Sequence, residues 1–194
     1  MADTSTTINS GFYDAVDGDR VYTADNMNEV YKNLLSNGIF STPTGDVSTD
    51  FEVSASSGMD ITVAQGRGIA AGHWISNPDI LTITVPNNTS SLPRIDSVVL
   101  RLDARVSGRE ASVIYRTGEP ASSPTRPLII TQTADLYEFR IADVYVASNA
   151  PSITSANITD RRGESQCPWV NAMVQQYQSI ITTAEINDII NSIS

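Results

Sequence analysis

The residues of this sequence that could do chemistry are few and scattered. His73, in Gly72-His73-Trp74-Ile75, is the only histidine. A protein-held zinc ion needs several His or Cys side chains at set spacings, and none stands near His73. Its expected role is a strand or turn histidine packed beside Trp74. Cys167, in Gln166-Cys167-Pro168-Trp169, is the only cysteine. A nucleophilic thiol needs a neighbour that lowers its pKa, and no motif around Cys167 supplies one. It reads as a small hydrophobe at a helix start, with Pro168 suited to the first turn. Asp14, Asp17 and Asp19 form the densest carboxylate cluster. A calcium loop needs alternate oxygen ligands and a distant bidentate Glu, so a turn at Asp17-Gly18 accounts for these residues more simply. Asp103, Glu110, Glu119 and Glu138 could act on a sugar only as a pair about 5 or ~6.5–9.5 Å apart, and they are spread over separate strands and turns. GxSxG, HExxH and phosphate-binding loops are all missing. The sequence therefore predicts no catalytic residue, no metal ligand and no cofactor, hence a protein that is not an enzyme.

Charge removes further classes. With 22 acidic against 12 basic residues the net charge is -10. Binding a phosphate backbone or an anionic membrane surface takes clustered Lys and Arg, and the longest basic cluster is Arg161-Arg162. No nucleic acid and no membrane insertion are expected, since no run approaches the roughly 20 apolar residues that span a bilayer. A single cysteine rules out an intrachain disulfide framework. The start, MADTSTTINSG, lacks the basic and apolar stretches of a secretory signal. The sequence thus predicts cytoplasmic synthesis, with any extracellular destination reached by a route other than secretion. The 194 residues, 40% of them hydrophobic, suit one domain with a real core, or a modest domain plus an extension.

The elements that would position these residues divide the chain in three: 1–45, an extended segment and helix; 46–165, a β-module; 166–194, a helical segment. Phe12, Tyr13, Arg20 and Tyr22 lie in an acidic, aromatic lead, with Thr23 as N-cap of the helix that follows. Met27, Val30, Tyr31, Leu34 and Leu35 make one apolar stripe at helical spacing, expected to pack on the β-module, and Asn37-Gly38 is expected to close the helix. The β-module shows strands at 81–85, 97–103, 111–116, 136–141 and 144–146, with Val98, Leu100 and Leu102 facing inward. Turn residues separate them: Ser57-Gly58, Gly66-Arg67-Gly68, Ala71-Gly72, Pro86-Asn87-Asn88 and Ser107-Gly108. Pro120 to Pro127 reads as an extended crossing, and 153–162 as a final strand or closing segment. Short strands at this spacing predict a mainly β fold, an antiparallel sandwich with a short N-terminal helix and C-terminal helices.

From Trp169 onward the spacing turns helical. Val170, Met173, Val174, Tyr177, Ile180 and Ile181 form one stripe, and Thr182 to Glu185 reads as a capping box that restarts a helix. Ile186, Ile189, Ile190 and Ile193 form a second stripe. β-branched residues along a seam favour bundles above dimers, so these positions are expected to mediate self-association as a homotrimer. Folding back on the chain's own β-module is the competing expectation.

Five segments, SGFYDAVDGDRVYTADNMNEVYKNLLSNGIF, ASSGMDITVAQGRGIAAGHWI, LPRIDSVVLRLD, TGEPASSPTRP and YEFRIADVYVASNAPSITSANITDRRGES, resemble in collinear order the N-terminal module of baseplate and receptor-binding tail proteins. The family is that of long-tailed phages and prophages of Gram-positive bacteria, and the similarity covers about residues 10–165. The resemblance implies a β-sandwich, usually trimeric, that anchors an adhesion device to the tail tip. A separate head or a partner protein then binds the host's surface saccharide. This chain stops about thirty residues after the module, so it is expected to be an adaptor or upper-baseplate component, or a piece of a longer chain. Its expected place is the virion, after assembly in the host cytoplasm and release by lysis, with other tail and baseplate proteins as partners. Phe12, Tyr13, Arg20 and Tyr22 are the expected docking residues, because exposed aromatics beside charges suit interface anchors. A carbohydrate-binding adhesin is the alternative, with Trp74, Tyr115, Tyr137 or Tyr145 stacking on sugar rings.

Overall fold

The structure, a computed structural model, describes residues 13–14, 16–18, 21–42, 47–127 and 130–170. Helix α1, Ala24–Leu34, starts where its chemistry says it should. Thr23 is the N-cap, Asn26 N donates to Thr23 Oγ1 at 3.4 Å, and Thr23 N donates back to Asn26 Oδ1 at 2.9 Å. Its end departs from expectation. Leu35 is an extended C-cap, so the helix stops before Asn37-Gly38. Those two residues have other work: Asn37 Oδ1 accepts from Ala71 N at 2.7 Å, and Gly38 opens the first strand.

Among the described residues eleven strands follow: β1 Gly38–Phe40, β2 Val53–Ala55, β3 Asp60–Val63, β4 Gly66–Ala70, β5 His73–Asn77, β6 Leu81–Thr84, β7 Arg94–Asp103, β8 Glu110–Arg116, β9 Leu136–Val146, β10 Ile158–Asp160 and β11 Trp169–Val170. They form three sheets, ordered β11-β1-β4-β5, β10-β9-β7-β8 and β2-β3-β6. All pairings are antiparallel except β1 with β11, where Ile39 faces Trp169 and Phe40 faces Val170. One apolar cluster joins the sheets, from Ile39, Phe51, Ile61 and Ile75 to Val98, Leu100, Leu102, Phe139, Ile141 and Val144. The three expected inward residues of β7 are thus in the core.

Three local readings need correction. Gly66-Arg67-Gly68 is strand, not turn, because both glycines are packing positions: a Cβ on Gly66 would lie 2.5 Å from Phe51 N, and one on Gly68 would lie 2.8 Å from Gly38 O. The segments 136–141 and 144–146 are one strand, kept continuous by a register shift at Val98/Val99 opposite Ala142 and Arg140. Trp169 and Val170 form a strand rather than the first turn of a helix, because the free edge of β1 takes them as its partner. Ile39 N donates to Pro168 O at 3.0 Å and Ser41 N to Val170 O at 3.2 Å. Gly38 permits the approach, since any Cβ there would collide with the Pro168 carbonyl. Val170 is accordingly buried. The other residues expected in the seam, Met173, Val174, Tyr177, Ile180, Ile181, Ile186, Ile189, Ile190 and Ile193, lie outside the described residues, as do Phe12 and Arg20.

Candidate functional site

Helix α1 is mounted by its polar side. Asn28 Nδ2 lies 3.1 Å from His73 Nε2, and the Asn28 carbonyl sits where a Cβ on Gly72 would be. Gly72, at φ +81, is the tip of the β4–β5 hairpin, so helix backbone rests directly on turn backbone. Ala24 and Asp25 line a hollow of about 590 Å³ with His73, Trp74, Asp103 and Arg109. Lys32 and Leu35 line another, of about 500 Å³, with Ala71, Thr133 and Tyr137. Positions 24/25, 28, 32 and 35 recur at three- and four-residue intervals and form one helix face. That face meets the sheets.

The apolar stripe is split: Leu35 turns toward the sheets and Val30 is half-buried, while the rest of it faces outward. Met27, Tyr31 and Leu34 are 38%, 42% and 51% exposed, and no residue of α1 is buried. Met27, Tyr31 and Leu34 thus depart from the expectation that the stripe packs on the β-module, whereas Leu35 beside Ala71 and Tyr137 agrees with it. The lead before it adds Tyr13, Val16, Val21 and Tyr22, all exposed. Tyr22 Oη donates to Tyr13 O at 3.2 Å and accepts from Tyr13 N, so the structure brings these two expected docking residues together. Trp74, beyond the end of α1 on the edge strand β5, is 78% exposed and shares a hollow with Ala24. Residues 13–34 and Trp74 thus hold eight of the fourteen large hydrophobics exposed among the described residues, an apolar concentration of the kind that marks interaction sites.

A second feature was not foreseen. The face of the β10-β9-β7-β8 sheet turned away from the apolar cluster carries a layer of arginines. Glu138, fully buried, accepts from Arg101 Nε at 2.8 Å, Arg116 Nη2 at 2.6 Å and Thr131 N at 3.0 Å. Asp143 accepts from Ser97 Oγ at 2.7 Å, Arg161 Nε at 2.7 Å, Arg140 Nη1 at 3.2 Å and Arg126 Nη1 at 3.4 Å. Arg140, buried, also donates to the Pro127 carbonyl, which ties the 120–127 crossing onto the sheet. Burial alone would raise both carboxyls, but these donors outweigh it and hold Glu138 and Asp143 below the usual carboxylate range. A general acid must carry a proton near neutral pH, so Glu138 cannot act as one. Beside the layer lie hollows of about 570 Å³, lined by Arg116, Glu119 and Arg126, and about 340 Å³, lined by Ile95, Arg126, Tyr145 and Arg161.

The other candidates are passive. At the end of β7, Arg94 Nε donates to Asp96 at 2.9 Å, and Asp96 also accepts from Tyr115 Oη and Gly118 N, each at 2.7 Å. Tyr115 is half-buried and held by Asp96, and Tyr137 is half-buried against Phe139, so of the four aromatics expected to stack on sugar rings Trp74 and Tyr145 are the exposed ones. Cys167 is buried, and burial pushes its thiol up. Among the described residues no three His, Cys, Asp or Glu side chains gather as a metal site, and no helix is long and apolar enough to cross a membrane. No protein-family model matches this chain, and no curated protein matches it.

Proposed function

We propose that this protein is a non-catalytic structural adaptor of a phage tail baseplate. Its antiparallel β-sandwich anchors a host-adhesion device to the tail tip, and it works as a homotrimer. The observation that carries the reading is the outward apolar row of α1 with the exposed Tyr13 and Tyr22 beside it. A helix seated through Asn28 that leaves Met27, Tyr31 and Leu34 exposed offers a row suited to being covered by something else. A rigid β-domain offering such a face suits an assembly part, whose task is contact rather than reaction. The collinear resemblance of residues 10–165 to tail-anchoring modules supplies the setting: the virion, neighbouring baseplate proteins, and release by lysis.

The test has two arms. Light scattering on the purified full chain should return three times the monomer mass. Tails assembled with the double variant Tyr13→Ala, Tyr22→Ala should incorporate the protein poorly, while its melting temperature stays within a degree or two of the parent's. Both side chains are exposed and their mutual hydrogen bonds lie at the surface, where a substitution typically costs about 0.5 kcal/mol. Normal incorporation would remove the docking role; a large fall in melting temperature would assign both tyrosines to the fold.

The alternative, a saccharide-binding adhesin, is favoured by the exposed Trp74 and Tyr145 beside hollows large enough for a sugar ring. Pull-down on host cell wall by the isolated protein, lost in Trp74→Ala or Tyr145→Ala, would move the assignment to that reading.

A further inference from the structure

We propose that the hollow on the outer face of β9, between Arg126 and Arg161, binds a small hydroxylated oxyanion, a sugar acid or a sugar phosphate. This goes beyond the adaptor reading, since it asks nothing of α1 or of the copy number.

Strand register builds the floor. Asp143 and Tyr145 stand two residues apart on β9, so their side chains share one face of the sheet. On one side of β9, Ile95 of β7 pairs with Tyr145 and Ser97 with Asp143. On the other, Thr159 of β10 pairs with Asp143, and Arg161 N just beyond donates to Ile141 O at 3.0 Å. The crossing chain at Pro124, Thr125 and Arg126 makes the wall, and the hollow measures about 340 Å³. Ligand sites run from roughly 300 to 1,000 Å³, so this one fits a single ring.

Charge is out of balance here. Among the described residues Asp143 and Glu164 are the carboxylates that pair with Arg126, Arg140 and Arg161. One positive charge is left over, in a chain whose net charge is -10. The surplus falls on Arg126. Asp143 already accepts at 2.7 Å from both Ser97 Oγ and Arg161 Nε, whereas Arg126 Nη1 stands 3.4 Å away. Charge-assisted pairs close to about 2.7–2.9 Å, so Arg126 is loosely held and its planar fork keeps donors for an incoming oxyanion. Its side chain is 40% exposed.

The rest of the lining suits a sugar-sized body. Tyr145, half-exposed, and Ile95 beside it offer an apolar patch of the kind on which a sugar ring stacks. Thr125 and Thr159 add hydroxyl-bearing side chains. The one carboxylate of this hollow, Asp143, faces three guanidinium groups. The neighbouring hollows differ. Glu119 lines the one beside Arg116, and Asp25, Asp103 and Glu110 line the one beside Trp74, so both oppose an oxyanion with carboxylates.

Calorimetric titration of the full chain tests the site with glucuronate, glucose 1-phosphate, glucose and inorganic phosphate. One charged sugar should bind about tenfold tighter than glucose or more, and added salt should weaken it. Whichever charged sugar binds better assigns the oxyanion as carboxylate or phosphate. Arg126→Gln should weaken that binding about tenfold and leave the melting temperature unchanged, because the side chain makes one long hydrogen bond. Tyr145→Ala should weaken it too, and it serves as the second variant if Arg126→Gln fails to fold. Charged sugars that bind no better than glucose overturn the proposal, as does binding that ignores either substitution in a folded variant. Inorganic phosphate bound as tightly as the better charged sugar marks an adventitious ion only and overturns it as well. Tail incorporation and particle mass do not read this hollow, so they test the adaptor reading separately.

Discussion

Asp143 shows how tightly single side chains are committed in this molecule. It receives three guanidinium groups and a hydroxyl, and Arg140 beside it is buried. Asp143→Ala should cost about 3–5 kcal/mol in chemical denaturation, because it strands the buried Arg140 without its carboxylate. Acid has a related effect. Glu138 and Asp143 sit below their ordinary values of 4.5 and 3.8, so in the unfolded chain they take up protons at higher pH than in the folded one. Their contribution to stability is complete above about pH 5 and is lost as pH falls through their folded pKa values. Denaturation midpoints should therefore be flat from pH 7 to 5 and drop below 4, with a shallower drop in Glu138→Gln. None of this was legible in YEFRIADVY, which shows charged residues alternating on a strand. What makes them a buried layer is chain laid over the sheet, Thr131 on Glu138 and Arg126–Pro127 on Asp143 and Arg140, and these contacts are long-range rather than a local pattern.

At the scale of elements, the capped helix and the long central strand were readable because local rules decide them. Thr23 with Asn26 sets the start of α1, and the apolar alternation of Val98, Leu100 and Leu102 sets the inner face of β7. The orientation of α1 was not readable. Amphipathicity tells which face is apolar, but it does not tell where the partner for that face lies. Here the docking contacts are a backbone-to-backbone seat at Gly72 and a polar one at His73, and neither leaves a periodic signal. The glycines of β4 misled for a similar reason: a glycine kept for close approach looks like one kept for a turn. Gly72→Ala should expose the seat. The new methyl meets the Asn28 carbonyl at a positive φ, and overpacking of this kind costs about 1–3 kcal/mol. Helical amides of α1 should exchange faster in that variant while those of β7 keep their protection.

Across the whole molecule, three small sheets share one core, and the first and last described strands lie side by side. The sequence shows a β-rich body; that its first and last described strands pair is a property of topology, made by a two-residue strand too short to announce itself. The parallel clip of β1 and β11 has a mechanical meaning. If a tail is pulled from the α1 side and a load hangs from the far side of Val170, the two strands are drawn past each other along their length. Their hydrogen bonds, Ile39 N to Pro168 O and Ser41 N to Val170 O, then share the tension instead of opening one by one. The load path runs through the clip and bypasses the sheets behind it. In single-molecule stretching from residue 24 to residue 170, the first rupture should be the clip, with the β7–β9 pairing still intact behind it.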